Sequence, residues 1–192
     1  MEIGERVYEL RTKILGEEHP DTLSGLELLA YCYGMLADHI KALEIEKRVY
    51  ESRKKVLGEG HPDTLNTLSA LSYYYAFLDD QRKALELGKK VYKYRKEVFG
   101  EEHPDTLDSL TNLYVYQWKF GGYKQALETC EKVYNLRRKI FGEEHPDTLD
   151  SLEDLANIHI GLGDEQRAID IKEKVYELRK KIYGEEHPDT LS

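Results

Sequence analysis

At 192 residues, 40% hydrophobic and 34% charged, the chain can bury a core and is not disordered by composition. Its net charge of −9 argues against a non-specific binder of DNA or RNA. Two distant cysteines, Cys32 and Cys130, with no charged-then-apolar leader and no long apolar run, point away from a disulfide framework, secretion or membrane spanning and towards a reducing, cytoplasmic setting.

Ile3, Val7, Leu10 and Ile14 recur at helical spacing before Gly16, predicting a first helix over residues 3–15. In the following loop Pro20 suits the first helical position, Asp21 suits the positive end of the helix dipole, and Thr22 is expected to help cap the turn. The next helix, about 20–36, sets Leu23, Leu26, Leu29, Ala30 and Tyr33 on one broad face. After a break at Ala37-Asp38, a second helix over about 39–57 carries Ala42, Ile45, Val49, Ser52, Arg53 and Val56.

This plan recurs. His-Pro-Asp-Thr-Leu begins at His19, His61, His103, His145 and His187, every 42 residues. The expected organisation is one all-α repeat domain over 1–192. It comprises an unpaired second-type helix at 1–15, helix pairs at 20–57, 62–99, 104–141 and 146–183, and the start of a further repeat at 187–192. Such a sequence reads as a stretch of a longer array.

Basic groups recur near the ends of the second helices: Arg53-Lys54-Lys55, Arg95-Lys96, Arg137-Arg138-Lys139 and Arg179-Lys180-Lys181. They complement the negative end of each helix dipole, and the first arginine of each is expected to pair with a carboxylate in its own or the adjacent loop. The Glu-Glu-His-Pro-Asp loops combine carboxylates with imidazole, yet without an HExxH motif or cysteine ligands they read as loop and cap, not as a metal site. His159, inside a helix, reads as a packing histidine. Without a P-loop, a dinucleotide fingerprint or a nucleophile with its base, no cofactor and no enzyme activity is indicated.

Fifteen tyrosines admit two roles. Tyr50, Tyr92, Tyr134 and Tyr176 recur with the repeat and read as packing. Tyr31, Tyr73, Tyr74, Phe77, Tyr116 and Trp118 are candidates either to fill helix seams or to anchor a partner chain, the second being favoured for Tyr31, Tyr73 and Trp118.

Leu26-Glu27-Leu28-Leu29-Ala30 with Tyr33, the turn before Ala42, and Arg53-Lys54-Lys55-Val56-Leu57-Gly58 leading into His61-Pro62-Asp63 together resemble the 42-residue tetratricopeptide repeats of kinesin light chains. They are also similar to the related arrays of bacterial and fungal nucleotide-binding signalling proteins. The resemblance covers nearly the whole chain and implies a right-handed superhelix whose first helices line a concave peptide-binding groove. It carries the groove-facing positions to Ser24, Glu27, Tyr31, Gly34 and Met35, then to Asn66, Ser69, Tyr73, Ala76 and Phe77. Further along they fall on Asp108, Thr111, Val115, Trp118 and Lys119, then on Asp150, Glu153, Asn157, Ile160 and Gly161. The sequence departs from the pattern where Gln117 and His159 replace Tyr33 and Tyr75, and where Tyr114 replaces a small residue such as Ala30.

The resulting expectation is a non-enzymatic scaffold that binds a peptide segment or protein partner, without cofactor, nucleic acid or membrane. A largely uncharged, partly apolar peptide would cross Tyr31, Tyr73, Phe77 and Trp118, with Asn66, Ser69, Thr111 and Asn157 as hydrogen-bonding groups and Lys119 reporting the partner's charge. The alternative is a self-assembling homo-oligomer joined through terminal surfaces that include Ile3 and Val7.

Overall fold

The computed structural model describes residues 2–191. Among these the chain forms α1 (Glu2–Leu15), α2 (Pro20–Met35), α3 (His39–Leu57), α4 (Pro62–Phe77), α5 (Gln81–Phe99), α6 (Pro104–Lys119), α7 (Tyr123–Phe141), α8 (Pro146–Leu162), α9 (Glu165–Tyr183) and α10 (Pro188–Leu191), and no strand.

The His-Pro-Asp sequence sets the start of each first helix. His61 is in extended backbone as the N-cap of α4, and its Nδ1 accepts a hydrogen bond from the Asp63 amide at 3.2 Å. Pro62 has no amide hydrogen to satisfy, and the Asp63 carboxylate lies at the positive end of the helix. The same bond forms at His19, His103, His145 and His187. The expectation that Thr22 helps cap this turn is not met. Its hydroxyl is buried without a hydrogen-bond partner, because the imidazole already satisfies the nearby amide.

Each first helix ends in a turn through the left-handed region, which suits glycine. Gly121 and Gly163 both have φ 78°, whereas Ala37 (61°) and Asp79 (57°) accept the same backbone with a side chain. Asp38, Asp80 and Asp164 then cap α3, α5 and α9 through the amides of Lys41, Lys83 and Arg167, while Gly122 leaves α7 without a side-chain cap.

The chain divides into two compact units, Met1–Glu101 and Glu102–Ser192. In the first, consecutive helices from α1 to α5 pack against one another. One cluster joins Leu23, Leu26, Leu29 and Val49; another joins Ala30, Tyr33, Ala42, Leu43, Leu68, Leu71, Tyr74 and Val91. In the second, α6 to α10 pack in the same sequential manner, and Leu110, Leu113, Ala126, Val133, Leu152, Ala156 and Val175 are buried. Burying large aliphatic side chains at about 1.5–3 kcal/mol each is the main favourable term for both units. Ala42, Ala84, Ala126 and Ala168 are all buried at one repeat position, where a small side chain lets paired helices approach.

Polar ties recur with the same period. The Tyr50, Tyr92 and Tyr176 hydroxyls donate to Glu59, Glu101 and Glu185, anchoring each loop to the preceding helix. Burial and that bond push the Tyr50 hydroxyl up to about 12, whereas donors from Lys90, Tyr50 and Tyr94 hold Glu59 down at about 2. Where a loop carboxylate was expected beside the recurrent arginines, Arg53 pairs with Glu27 on α2, and Arg179 pairs with Asp150 and Glu153 on α8, carboxylates of the first helices.

Candidate functional site

Helix packing exposes one aromatic group in the first unit. Tyr73 and Phe77 lie one helical turn apart on α4 with ring centroids at 4.7 Å, and Phe77 continues to the His39 imidazole at 4.5 Å. Both rings are about half exposed, 47% and 49%, and Tyr31 on α2 is exposed to 60%. Adjacent Tyr74 turns inward: it is buried and donates its hydroxyl to the Ala30 carbonyl at 3.3 Å. Burial pushes that hydroxyl up to about 12.

Several carried-over positions are not groove-facing or are already occupied. Ala76 is buried, so it does not line an open surface beside Phe77. Tyr74 and Tyr116 are also buried; neither is placed to anchor a partner, because each side chain fills its unit's core. Glu27 is engaged by Arg53, and a Cβ on Gly34 would stand 2.8 Å from the Tyr74 hydroxyl, so this glycine is kept small by packing. Asn66 is exposed but its side-chain oxygen accepts from Arg95 at 2.7 Å, leaving the amide nitrogen for other partners. Ser69 is partly exposed, and its carbonyl accepts from the Ser72 hydroxyl.

In the second unit, α6 and α8 enclose a pocket of about 210 Å³ lined by Tyr114, Val115, Trp118, Asp154, Asn157 and Ile158. Trp118 is 46% exposed and meets Tyr123 edge-on, with centroids 6.5 Å apart. A Cβ on Gly161 would lie 3.5 Å from the indole nitrogen, so α8 backs the ring closely. Tyr114, the bulky departure from the repeat pattern, is accommodated by reaching across to α8 and donating its hydroxyl to Asp154. Burial, first of all, raises the Asp154 carboxyl above its ordinary range, and the Tyr114 bond and Arg137 work against that rise.

Other candidates are nearby. Thr111 accepts from Arg137 at 3.5 Å, a long bond, and Lys119 is exposed with its ammonium 5.4 Å above the Phe120 ring. His159 is mostly buried, with Nδ1 3.4 Å from Asp164 in ion-pair range but without hydrogen-bond geometry; Asp164 itself caps α9. This is a packing environment. Among the described residues no cluster of three metal-ligating side chains occurs, and no helix is long and apolar enough to cross a membrane.

The Tyr114–Asp154 bond and the buried carboxyl of Glu46 on α3 are absent from the sequence reading. A partial signal was present for both: Asp154 occupies the repeat position of Leu28, Ala70 and Asn112, and Glu46 that of Gly4, Gly88, Cys130 and Lys172, small in three of those four copies.

The tetratricopeptide repeat family model matches residues 2–55, 64–105 and 114–181. The chain belongs to the tetratricopeptide repeat family. This tetratricopeptide repeat protein is an all-α solenoid, similar to a crystal structure of kinesin light chain nearly identical TPR-like repeats from Podosopora anserina. That likeness has a TM-score of 0.85 at 28% identity, covering 95% of this chain and 86% of that one. BtubC (BKLC) from P. vanneervenii shares the fold with a TM-score of 0.82 at 19% identity, over 96% of this chain and 74% of its own. MamA shares it at 0.62 and 16% identity, over 93% and 83%. Among curated proteins, none matches this chain in sequence.

Proposed function

We propose that this tetratricopeptide repeat protein is a non-enzymatic, cytoplasmic scaffold that binds a peptide segment of a protein partner on its first-helix faces. The observation that carries this reading is the Tyr73–Phe77 pair, two large rings packed on each other yet half exposed, alongside exposed Tyr31. Rings held in water by their own neighbours offer apolar area to a partner with little further loss of rotamer freedom. In the first unit Asn66 and Ser69 supply polar groups, and in the second Thr111, Trp118, Lys119 and Asn157 do so around the α6–α8 pocket. A peptide-array and proteome pull-down with the whole chain tests the reading. Retention of specific peptides that Tyr73→Ala and Trp118→Ala each release supports it; unchanged retention by both folded variants rejects it.

Self-association is the second reading, favoured by the exposure of Ile3 (82%) and Val7 (39%) on α1. Light scattering across concentration separates the two. A mass that rises with concentration and falls to that of a monomer on Ile3→Glu with Val7→Glu favours assembly, and a constant monomer mass excludes it.

A further inference from the structure

The geometry points to a specific occupant for the pocket between α6 and α8: the arginine or lysine side chain of a bound peptide, its stem on Val115, Ile158 and the Trp118 ring and its cationic head at Asp154. This rests on the peptide-binding reading and deepens it. At about 210 Å³ the pocket suits one long side chain. Its walls are mainly apolar, and the Trp118 ring is held in place by Tyr123 and by α8 at Gly161. A fixed, half-exposed indole is the preferred partner of a cation placed over an aromatic face.

Asp154 decides the charge of the occupant. A carboxylate can accept about four hydrogen bonds, yet Asp154 accepts one, from Tyr114. No cationic side chain pairs with it among the described residues, whereas neighbouring Asp150 and Glu153 are both held by Arg179. Arg137 acts on it only through space, because its guanidinium is directed to the Asp147 carbonyl, the Ser151 hydroxyl and Thr111. An aliphatic occupant would take this carboxylate further from water with the Tyr114 hydroxyl as its one donor, and an acidic one would face its charge. A basic head group instead supplies charge-assisted hydrogen bonds.

The repeat itself does not require the acid. Leu28, Ala70 and Asn112 occupy the same repeat position, and Ala30, Ser72 and Ala156 the position of Tyr114. The tyrosine and aspartate are thus particular to this pocket, not shared elements of helix stacking.

Trp118 is the sole tryptophan, so its fluorescence reports the site directly. The probes are pools of acetylated, amidated decapeptides with arginine, lysine, citrulline, norleucine or glutamate fixed at one position and every other position randomised among residues other than arginine, lysine, histidine, tryptophan and tyrosine. The arginine and lysine pools are expected to act at roughly tenfold lower concentration than the citrulline and norleucine pools, the scale of one cation–π and carboxylate contact. Asp154→Asn should abolish that preference and Asp170→Asn, at an exposed acid outside the pocket, should keep it. If Asp154→Asn fails to fold, Val115→Lys, which places an ammonium at the exposed rim, should abolish it instead. Equal response to norleucine and basic pools, or an unchanged preference in the folded pocket variants, overturns the assignment while leaving peptide binding intact. No binding of any pool by fluorescence and calorimetry overturns both.

Discussion

The Arg53 guanidinium holds both carboxylate oxygens of Glu27, Nη1 to Oε1 at 2.8 Å and Nη2 to Oε2 at 3.0 Å, which ties α3 to α2. Nη1 also donates to the Thr67 hydroxyl at 2.6 Å and to the Asp63 carbonyl at 3.2 Å, so one buried side chain links three helices. Arg53→Met is expected to lower the unfolding free energy by about 2–4 kcal/mol, because two helices lose a donor and Glu27 loses its partner. Glu27→Gln, which keeps an acceptor beside the guanidinium, should cost less. Urea melts of both variants check this; a loss below about 0.5 kcal/mol for Arg53→Met, the range of ordinary surface substitutions, would show the link to be energetically idle.

Glu46 lies buried on α3 with one carboxylate oxygen lacking a hydrogen-bond partner. Burial, with Glu27 adding to it and Arg53 opposing it, pushes its carboxyl up to about 8. Between the ordinary value of 4.5 and about 8, the folded chain therefore keeps a proton that the unfolded chain releases. Its contribution to stability is full below this window and is lost as pH rises through it, at up to about 1.4 kcal/mol per pH unit. Glu46→Gln should flatten this part of the stability profile and leave the variant more stable than the parent near pH 8. Parallel parent and variant profiles from pH 5 to 8 would refute the assignment.

His61 caps α4 through its Nδ1, an acceptor that alanine lacks. His61→Ala is expected to cost about 0.5–2 kcal/mol, while His61→Asn, which can accept from the same amide, should recover most of it. Calorimetric melting of the three proteins distinguishes a capping role from simple loop packing, in which asparagine and alanine would behave alike.

Tyr73 contacts Phe77 but is exposed on α4, so Tyr73→Ala should weaken a captured peptide by about 1–3 kcal/mol with only a small change in melting temperature. Lys119→Glu supplies the electrostatic counterpart. It should alter the affinity of an acidic peptide more at low salt than at high salt, since an exposed charge is screened, and leave an uncharged peptide nearly unaffected. Titrations at two ionic strengths provide the measurement. Equal salt sensitivity for both peptides would remove Lys119 from the surface.

The sequence alone determined the helices. The second helix expected at about 39–57 is α3 at His39–Leu57, and the first expected at about 20–36 is α2 at Pro20–Met35. Helical periodicity and turn chemistry are local properties, written residue by residue into every copy. One tertiary pairing could also have been read from the copies. Lys55, Lys139 and Lys181 meet Glu18, Glu102 and Glu144, and in the remaining copy the two positions change together to Glu97 and Gly60.

Only the tertiary structure decided which aromatic rings face water. Tyr73 and Tyr74 are adjacent, about 100° apart around a helix, and the period says that they diverge without saying which one a neighbour covers. Ala30, far back in the chain, answers that by receiving the Tyr74 hydroxyl. The same holds for Arg53 with Glu27 and for Tyr114 with Asp154: each partner lies on another helix, so the distance between them is set by how closely the helices pack. Burial of Glu46 likewise follows from what closes over α3, since neither its charge nor its helical position removes a carboxylate from water without neighbouring helices to enclose it.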